Sequence, residues 1–265
     1  MKTHLKRLFS GVLSLVMAIS AIPFVSVRAE ESNEPYPYTM FAASDAEGAI
    51  TVNAGNFCVN GNVATNGTIV SSVNVNVNGT RTENAEKSMI FIYDKIDNQF
   101  FSSSDVDEHE EDYVLEERNI NLNVPTEVQG ETTLTGNVNI NSALKSMEDI
   151  NLFGEVKNTN DSIIFSKYGD IIIDSQNVNL NGLVYAPFGT VDITAQNLNL
   201  NNVVIIADSI VLNCPSVNAN NSTNMSTFVG NASEGLDIPA DELCYWEDSN
   251  NNGLPDYFED MRNWG

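Results

Sequence analysis

Residues 169–188 read GDIIIDSQNVNLNGLVYAPF, and residues 189–208 read GTVDITAQNLNLNNVVIIAD. At an offset of 20 the two share Gly169/Gly189, Ile173/Ile193, Gln176/Gln196, Asn177/Asn197, Asn179/Asn199, Leu180/Leu200, Asn181/Asn201 and Val184/Val204. A third, degraded copy begins near Asp208, where Ile210, Leu212 and Val217 fall under Val191, Ile193 and Leu198 at an offset of 19. Upstream, Val52, Asn56, Val59, Asn60 and Gly61 recur 18 residues later as Val70, Asn74, Val77, Asn78 and Gly79. Ile120-Asn121-Leu122-Asn123 returns as Val138-Asn139-Ile140-Asn141. A repeat of this length is the mark of a solenoid.

The character of the repeat selects the kind of solenoid. In Asn-Val-Asn-Leu-Asn the apolar residues alternate with period two, so Val178 and Leu180 share one side and the asparagines the other. β-Branched residues, asparagines and that period all disfavour helix. Asn60-Gly61, Asn78-Gly79 and Asn181-Gly182 supply the left-handed backbone that a sharp corner uses. Short strands joined by such corners wind into a parallel β-helix whose coils stack at ~4.8 Å. Aliphatic columns then fill the inside, and asparagines stack outside, amide on amide. A leucine-rich repeat would need L-x-x-L-x-L and a helical half, and neither is found. A β-sandwich would not require an identity-rich period.

Around this β-helix, at 49–222, lie segments of other character. Residues 84–118 break the repeat as an insertion. Met89-Ile90-Phe91-Ile92-Tyr93 reads as a buried strand, and Asp105 to Arg118 carries eight carboxylates around His109. A solvated acidic loop or short helix bulging from one coil accounts for that run better than a cation site does. Residues 30–48 and 223–247 read as linkers.

The first 29 residues read as an export signal. Lys2, Lys6 and Arg7 form a basic start, Leu8 to Val25 an apolar stretch broken at Pro23, and Val27-Arg28-Ala29 a processing site before Glu30. Elsewhere no apolar run approaches the ~20 residues of a membrane-spanning helix. The expected location is extracellular or at the cell surface, with no integral membrane segment after processing. Cys58, Cys214 and Cys244 then allow at most one internal disulfide. Cys214 and Cys244 could pair, but their spacing does not demand it, and isolated buried thiols are the simpler reading.

Charge narrows the function classes. The 265 residues carry 12 basic and 36 acidic side chains, a formal net charge of −24. Such a surface repels phosphate backbones, which argues against nucleic acid as a partner. Outside the export signal His109 is the one histidine, a poor basis for histidine-ligated zinc or a Ser-His-Asp triad.

The tail, residues 248–265, holds the sharpest motif. Asp248-Ser249-Asn250-Asn251-Asn252-Gly253-Leu254-Pro255-Asp256-Tyr257-Phe258-Glu259 follows the calcium-loop template. Asp248, Asn250 and Asn252 offer side-chain oxygens, Gly253 the sharp turn, Leu254 its carbonyl, Asp256 a direct or water-mediated contact, and Glu259 a bidentate carboxylate. Two amides replace carboxylates, so Ca²⁺ affinity is expected on the order of 10⁻⁴–10⁻³ M. No entering helix precedes the loop, which makes it EF-like rather than a full EF-hand.

This loop looks like one thrombospondin type 3-like calcium repeat of bacterial surface proteins. The asparagine-rich coils, with Gly182-Leu183-Val184-Tyr185-Ala186-Pro187-Phe188-Gly189, resemble the amino-terminal β-helical region of large exported proteins of Gram-positive gut bacteria. In those proteins calcium repeats, and often a von Willebrand A-type domain, follow. The resemblance implies a cell-surface role and names no reaction. The chain stops six residues after Glu259, so a truncated product or the leading segment of a larger protein is expected.

Three function classes follow from these residues. The first is a non-catalytic structural or adhesive module, exported, with one weak calcium loop and a cell-envelope, glycan or protein partner. The second is a calcium-dependent polysaccharide lyase or hydrolase on the β-helix. Between Arg118 and Arg262, however, only Lys145, Lys157 and Lys167 could serve as base, and Asp170, Asp174 and Asp192 form no carboxylate column. The third is self-association through open solenoid ends. The expectation is the first: not an enzyme.

Overall fold

The computed structural model describes residues 35–159 and 161–230. In chain order the strands are β1 (Tyr38–Ala42), β2 (Ile50–Asn60), β3 (Asn62–Thr65), β4 (Ile69–Ser71), β5 (Val75–Asn78), β6 (Arg81–Thr82) and β7 (Asp107–His109). There follow β8 (Tyr113–Leu122), β9 (Thr126–Val128), β10 (Thr132–Ile140), β11 (Ala143–Ser146), β12 (Ile150–Asn158), β13 (Ile163–Ser166) and β14 (Ile171–Asn221). Two short α-helices, α1 (Tyr93–Ile96) and α2 (Thr223–Gly230), and a π-helical turn (Asp97–Phe101) that continues α1 complete the set. Every strand pairing is parallel, and the architecture is an all-β parallel β-helix.

Each coil has three faces. The first is built from short strands such as β11, β13 and the 183–186 part of β14; the second and third share one longer strand that bends at a corner, as β10 and β12 do. The alternating repeats build the third face as expected. Val178, Leu180, Leu198 and Leu200 point into the solenoid and are buried, together with Val138, Ile140 and Val156 from neighbouring coils. At about 25 cal/mol per Å² of apolar surface removed from water, these columns are the main favourable term holding coil to coil.

The coils do not stack in chain order. From one end, the sequence of coils is 107–122, 126–140, 143–158, 163–181, 183–201, 203–221, and then 38–60 and 62–78. β2 sits on the last turn of β14, with Ile50 on Ile210, Phe57 on Val217 and Asn60 on Asn220. β1 completes the same joint through Met40 on Ile205 and Ala42 on Ala207. The first coils of the chain therefore close over its last coil.

Residues 83–106 must then travel back along the stack to start the far coil, and they do so over the first face. That is why the first face is buried on both sides. Inside lie Ile164, Val184 and Ile205; outside, Phe165, Tyr185 and Ile206 pack under Ile92, Tyr93, Ile96 and the helix α2 residues Met225 and Val229. The Tyr185 hydroxyl donates to the Ile90 carbonyl at 2.7 Å and accepts from the Ile92 amide at 3.4 Å. Buried Lys145 donates to Asp97 at 2.7 Å and pairs with Glu127 at 2.9 Å, under the Phe101 ring.

Several local expectations change. Residues 84–118 divide: the first part is this crossover, and the acidic run forms β7 and β8 of the end coil rather than a bulging loop or helix. Met89–Tyr93 is not a strand; it enters α1, with Ile92 and Tyr93 buried against the first face. The solenoid begins at Tyr38, inside the segment read as a linker, because Tyr-Thr-Met-Phe-Ala is buried on both sides and shows no alternation. Residues 223–230, also read as linker, are α2. Val70 does not stack on Val52: Ser71 does, leaving Val70 outside and 43% exposed. A one-residue slip reverses the face, as the pleat requires. Gly61 and Gly182 have φ of +136° and +88°, whereas Gly79 has no positive φ.

Candidate functional surface

The third face carries amide ladders. Asn139 donates to Asn121 at 2.9 Å, Asn199 to Asn179 at 2.8 Å, and Asn197 to Asn177 at 2.9 Å. A further row runs from Asn201 to Asn220, on to Asn60 and to Asn78, at 3.0, 2.7 and 3.3 Å. That row crosses the joint between the last and first coils without interruption. Glu155 and Lys157 stand in register with Asn177 and Asn179 and interrupt the neighbouring rows. The result is a flat polar face whose side chains are held by each other, so they have little rotamer freedom left to lose on contact.

The corner between the second and third faces is uneven. Gly136 and Gly154 are register partners with φ of +144° and +108°, and they turn the corner in two successive coils without a spare residue. A Cβ at Gly136 would overlap the Glu117 carbonyl oxygen, and one at Gly154 the Gly136 carbonyl oxygen. The next coil inserts Gln176 opposite Gly154–Glu155, and on the other side Glu117 and Arg118 bulge opposite Gly136. The shortened corner leaves an open recess of about 560 Å³, lined by Asn137, Glu155, Asp174, Gln176, Thr194 and Gln196 among others.

Three carboxyls are held above their ordinary range. Burial is the main cause for Asp192, countered by the Asn213 amide and reinforced by Asp170 and Asp174. Burial likewise leads for Asp208, countered by Ser209 and reinforced by Asp45 and Asp170. For Glu148 burial is joined by Asp112, Asp149 and Glu131. The causes are structural: burial first, then acidic neighbours.

Asp170 and Asp174 lie on one coil and Asp192 on the next, but Asp170 is committed to the fold, accepting from the Thr190 amide at 2.6 Å. His109 stacks on Tyr113 with ring centroids 3.8 Å apart and lies 3.5 Å from Asp107 in the acidic end coil. Among the described residues no group of three or more His, Cys, Asp or Glu side chains is placed to hold a metal ion. Cys58 and Cys214 are free thiols, and burial pushes the Cys214 thiol up. The export signal, Cys244 and the loop residues Asp248, Asn250, Asn252, Leu254, Asp256 and Glu259 lie outside the described residues. No described helix is long and apolar enough to cross a membrane. Neither the recess nor the amide joint at Asn220–Asn60 was singled out from the sequence; the first shows there only as a change in repeat length.

The fold and surface define a parallel β-solenoid with one covered face, one flat amide face and one recessed corner. No known family model matches the chain, and no curated protein does. Two solved structures resemble it. One is an ice binding protein from an Antarctic Biological Consortium, 12% identical over 76% of this chain and 95% of that one, with a TM-score of 0.36. The other is an ice-binding protein from the Antarctic ascomycete Antarctomyces psychrotrophicus, 15% identical over 67% of this chain and 94% of that one, with a TM-score of 0.26. Likeness at this level transfers no ligand.

Proposed function

We propose that the protein is an exported, non-catalytic surface module that presents its third face to a cell-envelope, glycan or protein partner. The observation that supports this most is the amide ladder. A row of asparagines bonded to one another, on a sheet backed by a packed core, is rigid, flat and uncharged within a strongly acidic molecule. Such a face contacts an extended partner at low ordering cost. The test is electrophoresis through gels containing neutral polysaccharides, beside reducing-end and unsaturated-product assays on pectin and alginate. Retardation without turnover is expected. Steady product release abolished by changing Asp170, Asp174 or Asp192 would promote the lyase reading instead.

The tail supplies the second part of the reading, one Ca²⁺ bound by Asp248, Asn250, Asn252, the Leu254 carbonyl, Asp256 and Glu259. Glu259→Ala removes up to two of roughly seven ligand oxygens and should weaken binding far more than Ser249→Ala. Calorimetry at moderate salt, where the Debye length is about 8 Å, screens diffuse adsorption to the acidic surface. Equal affinity and stoichiometry in wild type and Glu259→Ala would reduce the loop to a turn.

A further inference from the structure

We propose that the recess at the corner of the second and third faces is a binding site for a neutral saccharide; this rests on the reading of the protein as a surface module and assigns its recognition to a particular place. The site is built by a difference in chain length. Two successive coils turn the corner on Gly136 and Gly154, and the coil after them adds Gln176, which lines the recess with Gly154, Glu155, Asp174 and Gln196. The corner is thereby set back across two coils, ~10 Å along the stack at one coil per ~4.8 Å. Its volume of about 560 Å³ falls among those of small-molecule sites.

Four of the lining side chains are uncommitted: Glu155, Asp174, Gln176 and Gln196 make no side-chain hydrogen bond to any described residue, whereas Asn137 and Asn177, also in the lining, are bonded in ladders. Two carboxylates can each accept a pair of adjacent hydroxyls in short charge-assisted bonds. Two primary amides can donate to and accept from the same sugar ring. No basic side chain is among the lining residues, so uronates and sulfated or phosphorylated sugars are repelled.

Titration calorimetry on the full chain with cellotetraose, mannotetraose and N-acetylchitotetraose tests this. At least one should bind saturably, and Asp174→Ala and Gln176→Ala should each weaken it about tenfold or more. Both side chains are exposed, so the variants should keep the parent's thermal midpoint. Ser103→Ala, exposed on the crossover, should leave the affinity unchanged, and galacturonate oligomers should not bind. Absence of binding by all three neutral sugars, or binding that survives both recess variants, overturns the proposal. Binding lost in Asn179→Ala and Asn199→Ala but kept in the recess variants moves recognition to the third face, where the surface-module reading stands without this site.

Discussion

At the scale of single residues, the inner and outer members of one repeat do unequal jobs. Leu180 is fully buried in the central column, and Asn179, one residue earlier, is bonded to Asn199 on the surface. Leu180→Ala removes buried methyl groups and leaves a cavity between stacked coils that cannot easily close, a loss of about 2–5 kcal/mol. Asn199→Ala removes one solvent-accessible amide bond, worth about 0.5–1.5 kcal/mol. Urea unfolding of the two variants should therefore separate them clearly. Equal losses would mean that the amide ladders, rather than the core, hold the coils together.

At the scale of elements, the crossover is held to the first face by a few side chains that no repeat would reveal. Lys145 is the clearest. It is buried within a β-strand, its ammonium shared between Glu127 of an adjacent coil and Asp97 of the crossover. Lys145→Ala should cost about 1.5–3 kcal/mol, the value of hydrogen bonds to charged groups. Amide exchange should quicken first in residues 92–101, before the coils themselves. A uniform change through all coils would show that the crossover is not separately anchored.

Legibility followed the same division. The Asn-Val-Asn-Leu-Asn stretches could be read directly because one side is wet and the other dry, and that contrast exposes the period. Ile163-Ile164-Phe165 and Tyr38–Ala42 are dry on both sides, so they show a run rather than an alternation, and Tyr38–Ala42 therefore reads as linker although the rest of its coil, Ile50–Asn60, shows the repeat. Nor does any local pattern say that Asn60 meets Asn220, since the same Asn and Val signature is present at every coil edge. The recess needed the register itself: Val138 to Val156 is a step of 18 and Val156 to Val178 one of 22, but only the pairing shows that three of the four extra residues precede Ile171 and one, Gln176, falls at the corner.

At the scale of the whole molecule, charge opposes folding at neutral pH. Asp192, Asp208 and Glu148 have carboxyl pKa values raised by burial and by acidic neighbours. A raised carboxyl pKa in the folded state gives stability that is complete below the unfolded carboxylate range and is lost as pH rises through the folded value. Acidification from neutrality toward about pH 5 should accordingly raise the thermal midpoint, with relief of the general −24 repulsion acting in the same direction. Asp208→Asn should raise the midpoint at neutral pH and flatten the profile. A midpoint that falls on mild acidification would contradict this balance.

The joint between the first and last coils has a mechanical consequence. Because Tyr38 and Asn221 belong to adjacent coils, a pull on the two ends of the described chain enters the molecule at one seam. The coils from 107 to 201 lie outside that load path until the seam gives way. The hydrogen bonds from Ile50 to Asn60 and the Asn220–Asn60 amide pair would then act as a fuse: the first two coils detach, and the crossover pays out as slack while the remaining stack keeps its core.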